Sequence, residues 1–60
     1  MIVVTATVPT GTVVPAFPGA AVEHSGQEYR WTVAENDDGA LEMLTWWLST
    51  DAGDLPYSVD

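Results

Sequence analysis

His24 beside Ser25 is the one pairing in this 60-residue chain with the makings of a nucleophile and its base. Such chemistry needs the imidazole within hydrogen-bond reach of a hydroxyl and a third group to orient it. Both residues fall at the tip of an expected hairpin, where nothing excludes water, so His24 reads as a solvated turn residue. Glu35-Asn36-Asp37-Asp38-Gly39 resembles a calcium loop at first glance. The EF-hand pattern sets oxygen ligands at positions 1, 3 and 5, Gly at 6 and Glu at 12. With Gly39 at the sixth position, Ala34 takes the first and Thr45 the last, and neither fits. Helix capping accounts for the same acids. Asp37, Asp38 and Glu42 offer paired carboxylates for acid–base work, but no bulky residues surround them to form a pocket. The chain has no Cys, so disulfides and the usual Cys-based zinc sites are excluded. The expectation is no enzyme, no cofactor, no metal ligand and no small-molecule substrate.

The aromatics remain. Trp46-Trp47 and Tyr57 have the side chains that build protein-binding surfaces. At roughly 100° per residue, Ala40, Leu44, Trp47 and Leu48 share one side of a helix. Leu41 flanks them on one hand, Met43 and Trp46 on the other, while Glu42, Thr45 and Ser49 lie opposite. The apolar arc spans about 220°, well beyond the stripe of about 100° that one packing face needs. A sheet beneath the helix can cover Leu44, Trp47 and Leu48 but not Trp46 and Met43 as well. With the apolar tail residues, the candidate partner-binding set is Met43, Trp46, Leu55 and Tyr57.

The elements that must position these residues follow from patterning. The helix is expected over 39–50. Asn36, Asp37 and Asp38 supply N-cap side chains and negative charge at the positive end of the dipole. Ser49, Thr50 and Gly53 mark its stop, Gly53 being free to turn left-handed. Residues 2–8 alternate, with Ile2, Val4, Ala6 and Val8 on one side and Val3, Thr5 and Thr7 on the other. Pro9-Thr10-Gly11 makes a turn. Residues 12–17 resume an extended run that Pro15 demotes to an edge strand. Pro18-Gly19 turns again, and strands at 20–24 and 27–35 flank a tight loop at Ser25-Gly26. On the last strand Tyr29, Trp31 and Val33 face the helix, with Trp31 against Leu44 or Trp47. Arg30 faces the other way, toward Glu23 or Glu28 as a cross-strand partner. Residues 51–60 form a tail that folds back on Trp46 or docks on a neighbour. The whole is a single α+β domain over 1–60: a small antiparallel meander of three to four strands followed by one C-terminal helix packed on one face.

The net charge is −8, and Arg30 is the only Arg or Lys. Direct nucleic-acid binding needs a cluster of basic groups and is therefore not expected. Anionic membranes are disfavoured on the same ground. The first 22 residues carry no ionisable side chain, and all nine acids lie between Glu23 and Asp60. That uncharged start lacks the basic segment of a signal peptide. Its three prolines and four threonines also make it unsuited to span a membrane as a helix. The expected setting is soluble, cytoplasmic or virion-associated. A chain this short buries only about 60% of its unfolded surface, so a partner that covers surplus apolar area would stabilise it. These features point to a non-enzymatic protein–protein interaction module. The first expectation is a structural or assembly subunit that associates with copies of itself or a larger particle; small phage and virus accessory or decoration proteins have this size and character. The alternative is an acidic inhibitor or decoy that covers a basic surface of a host protein, as nucleic-acid mimics do, with the charge steering association.

Overall fold

The computed structural model describes residues 1–60. Four strands and one helix follow in the order β1 (Ile2–Thr7), β2 (Ala20–Ser25), β3 (Glu28–Val33), α1 (Asp38–Ser49) and β4 (Tyr57–Val59). The strands make one sheet in the order β2-β3-β1-β4, antiparallel throughout. The α+β class and the single helix on one face of a small antiparallel sheet are as the patterning indicates.

The alternation of β1 and β3 sets the register. Val4 sits opposite Trp31, Ala6 opposite Tyr29 and Ile2 opposite Val33, so the apolar members of both strands share the face that α1 covers. Val4, Ala6, Val8, Trp31 and Val33 are buried there against Ala40, Leu44, Trp47 and Leu48. These nine residues are the core, and no polar side chain is buried with them. Trp31 meets Trp47 edge-on, ring centroids 6.4 Å apart, as expected for a strand tryptophan beneath the helix. Aromatic pairs in this geometry add about 0.5–1.5 kcal/mol beyond their buried area. The opposite face of the sheet, with Thr5, Thr7, Glu28, Arg30 and Thr32, has no layer over it.

Two strand assignments need correction. Residues 12–17 form no strand, and the fourth strand comes instead from the tail, where Tyr57–Val59 pairs with β1. β1 has only two edges; β3 takes one, and the tail takes the other with no proline inside the paired segment. Val3 and Asp60 exchange both backbone hydrogen bonds, at 2.9 and 2.8 Å, and extend that pairing to the last residue. The segment at 12–17, with Pro15 unable to donate to a ladder, packs by side chains: Val14 and Phe17 lie against the core. The tail returns to the sheet as a strand that brings Tyr57 alongside Trp46, and α1 is followed by that strand rather than ending the domain. A smaller difference is the hairpin loop, which is Gly26-Gln27 with Ser25 still paired to Glu28. Gly26 takes φ +60° while Gln27 keeps a negative φ, the pattern of a type II′ turn.

Pro18-Gly19 turns as expected. The Ala20 amide donates to the Phe17 carbonyl at 3.0 Å across it, with Gly19 at φ +87°. Positive φ after proline defines a type II turn, which wants glycine at that position. Space reinforces the demand. A Cβ on Gly19 would lie 2.4 Å from Asp37 Oδ2 and 3.2 Å from the Ala40 Cβ. The turn into β2 is thus pressed against the first turn of α1. Asp37 caps that helix, its Oδ1 accepting from the Ala40 amide at 3.1 Å. At the far end Thr50 donates its backbone amide to the Trp46 and Trp47 carbonyls and its hydroxyl to Trp46 O at 2.7 Å. Gly53 then takes φ +95°, and the Leu55 amide returns to Leu48 O at 2.8 Å.

Candidate functional site

Of the residues with chemical potential, His24 and Ser25 are the simplest to place. They are successive residues of β2, and successive strand side chains point to opposite faces, so the pair cannot act together. His24 stacks on Tyr29 at a centroid distance of 4.7 Å and ends an aromatic row that runs through Trp31 and Trp47 to Phe17. Asp37 is occupied as the helix cap. No group of three or more His, Asp or Glu side chains is arranged to hold a metal ion, and no helix is long and apolar enough to cross a membrane.

Arg30 stands directly opposite Glu23 in the β2–β3 register and opposite Thr5 in the β1–β3 register. Its guanidinium closes no ion pair with Glu23 or Glu28. The one ion pair of the molecule joins the Met1 amino group to Glu35; that hydrogen bond and the neighbouring positive charge lower the Glu35 pKa from its ordinary value of 4.5. Around Arg30 a polar hollow of about 280 Å³ is lined by Thr5, Glu23, Ser25 and Glu28, among others. It is open to solvent; His24 and Ser25 both border it, but no hydrogen bond joins them, and Arg30 is the one Arg or Lys side chain there.

Besides exposed apolar side chains elsewhere, such as Val13 and Met1, an apolar surface that includes an exposed indole lies on the outer flank of α1. Trp46 is 68% exposed and Met43 is 56% exposed, whereas Trp47 is only 8% exposed. The helix sends its two adjacent indoles in different directions, as the wheel requires. Met43, Trp46 and the outer edge of Trp47 form one wall of a groove of about 470 Å³, and Phe17 forms the other. Gly39 lowers the wall at one end, and Glu42 and Asp51 stand at the rim. Phe17 and Trp47 meet edge-on with centroids 5.6 Å apart, so the groove's floor is continuous with the core. Rigid aromatic and Met side chains on a partly desolvated floor are the usual centre of a protein interface.

The four candidate residues are thereby divided. Met43 and Trp46 share the groove. Tyr57, 39% exposed on β4, lies on the other side of Trp46, where the two line a shallow hollow with Glu42, Thr45 and Ser49. Leu55 is half-buried against the core and does not line the groove. Phe17 is the member that periodicity does not reveal. It belongs to a segment that reads as an edge strand, and only the Pro18-Gly19 turn brings it over Trp47. No known protein family, curated protein or solved structure matches this chain, so the surface must be interpreted from its own geometry.

Proposed function

We propose that this protein is a non-enzymatic interaction module, a structural or assembly subunit that docks on a larger partner through the outer flank of α1. A single observation carries the reading: Trp46 and Met43 are more than half exposed, side by side, above a groove whose floor is the core itself. Full burial of side chains of this size is worth about 1.5–3 kcal/mol each, and a 60-residue chain has no third layer to supply it. The decoy alternative draws less support. A nucleic-acid mimic needs acids in a row on one face, and here Glu23 and Glu28 lie on the helix-free side of the sheet while Glu42 and Asp51 rim the groove.

The test replaces Trp46 by Glu. Because the indole is outside the core, the variant should retain its far-UV circular dichroism and a stability within about 0.5 kcal/mol of the parent. Its association, followed by sedimentation and by recovery of a partner from the source cells, should be lost. A folded variant that associates as the parent does would remove this role from the groove, as would a parent chain that remains solitary and recovers no partner.

A further inference from the structure

The surroundings of the groove restrict what can occupy it. Its rim carries Glu42 and Asp51 and no basic side chain. The only Arg or Lys in the chain, Arg30, is on the far face of the sheet, separated from the groove by the sheet and the helix. A second copy seated on this face would bring apolar surface to apolar surface but also acid to acid, with −8 on each chain and no Arg or Lys on this face to offset it. Like charges set against one another across an interface disfavour that pairing strongly.

Backbone chemistry restricts the occupant further. The groove walls are side chains of α1 and of the Phe17 segment. The α1 backbone is engaged in its own hydrogen bonds, and the carbonyls near its C-terminus already receive Thr50, Ala52 and Leu55. On the other wall, the Phe17 segment belongs to no strand, and Pro15 and Pro18 interrupt its donors, so it offers an extended peptide no continuous edge; strand addition needs one. An occupant that enters an apolar groove must then satisfy its own amides and carbonyls, which a helix does.

We propose that the groove receives a cationic amphipathic helix of another protein, its apolar side seated on Phe17, Met43, Trp46 and Trp47 and its Lys or Arg side chains beside Glu42 and Asp51. This rests on the docking role proposed above and names the chemistry of the partner. The apolar floor supplies residence time, and the acidic rim supplies orientation and faster encounter.

The probe is a synthetic helix of Leu and Lys, about 18 residues long, compared with a peptide of the same apolar pattern carrying Glu in place of Lys. Binding is read from tryptophan emission, since Trp46 is the exposed indole and moves to a drier setting when the groove fills. The Lys peptide should shift that emission to the blue and shield it from acrylamide; the Glu peptide should do neither. Trp46→Ala removes the reporting indole but keeps every charge; followed by the anisotropy of a dye-labelled Lys peptide alongside the parent, it should weaken binding about tenfold or more. Glu42→Gln with Asp51→Asn keeps the apolar floor and should flatten the dependence on salt between about 50 and 500 mM. Lys-peptide binding that Trp46→Ala leaves unchanged would be attachment to acidic surface in general and would overturn the proposal. If the Glu peptide fills the groove equally well, the docking role stands and the charge preference is wrong. If neither peptide alters Trp46 and sedimentation shows a stable dimer, the occupant is a second copy. If neither binds and the chain is solitary, the cationic-helix proposal falls, and the docking role falls with it when the parent also recovers no partner from the source cells.

Discussion

Trp46 and Trp47 are the same side chain one residue apart on one helix, yet one is largely in water and the other is almost wholly enclosed. Trp47 bridges two sets of aromatics, Trp31 below and Phe17 beside it. Trp46 touches the surface only. The difference arises from a rotation of about 100° per residue on a fold with two layers and no third. A helix laid on a sheet can hide one flank, and side chains beyond that flank stay outside however apolar they are. The pair therefore separates what apolar surface does for stability from what it does for recognition, within one turn of helix.

The sharpest way to break this contrast is to truncate each indole. Trp47→Ala should cost about 3–5 kcal/mol, the range for removing a large aromatic from a core. In a chain of this size that is enough to unfold much of the population at room temperature. Trp46→Ala should stay within about 0.5 kcal/mol of the parent. Urea unfolding followed by circular dichroism measures both, and equal losses would mean that the two positions are not energetically distinct.

A second, smaller effect tests how the Phe17 wall of the groove is held. Gly19→Ala combines a positive φ with a Cβ driven into the Asp37 carboxylate, and should destabilise by about 1–3 kcal/mol. Asp37→Ala alone loses a helix cap worth about 1 kcal/mol. In the double variant the steric part is relieved while the φ penalty remains, so the combined loss should be less than the sum. An additive result would show that the turn and the helix cap are independent, and that Phe17 is positioned by its contact with Trp47 alone.

The smallest effect concerns Glu35, on a connection remote from both indoles. Its carboxylate is held below its ordinary value of 4.5 by the Met1 amino group, so the folded state binds this proton less readily than the unfolded chain. The contact's contribution is present above the unfolded value and is lost as pH falls through the lower, folded one. Carboxyl chemical shifts should place the Glu35 midpoint below 4.5. Glu35→Gln should abolish that low midpoint and hardly alter thermal stability, since both groups are exposed. A midpoint at the ordinary value would show that the pair does not persist in solution.

How much could be read beforehand divides along the range of the interactions. The helix, its Asp37 cap, the inward set of Ala40, Leu44, Trp47 and Leu48, and the outward placement of Trp46 and Met43 follow from residues within a few positions of one another. So do the alternation of β1 and β3 and the turns at Pro18-Gly19 and Gly26. These features are written in local periodicity and backbone preference. The choice between residues 12–17 and the tail as the fourth strand is a competition for one free edge of β1, between segments far apart in the chain. Both are short and partly apolar, and local preference does not rank them. Only the closed structure decides: the tail takes the edge, and the segment at 12–17, whose Pro15 cannot donate to a ladder, lays Val14 and Phe17 on the core instead. The groove has the same origin. Its Met43–Trp46 wall was legible in the helix, and its Phe17 wall exists because a turn pressed against the helix cap carries a distant aromatic to Trp47. By itself the sequence determined which side chains of the helix would lack cover, though not that Leu55 would pack on the core; tertiary packing decided that Met43 and Trp46 border a groove, since shape requires two surfaces and periodicity describes only one.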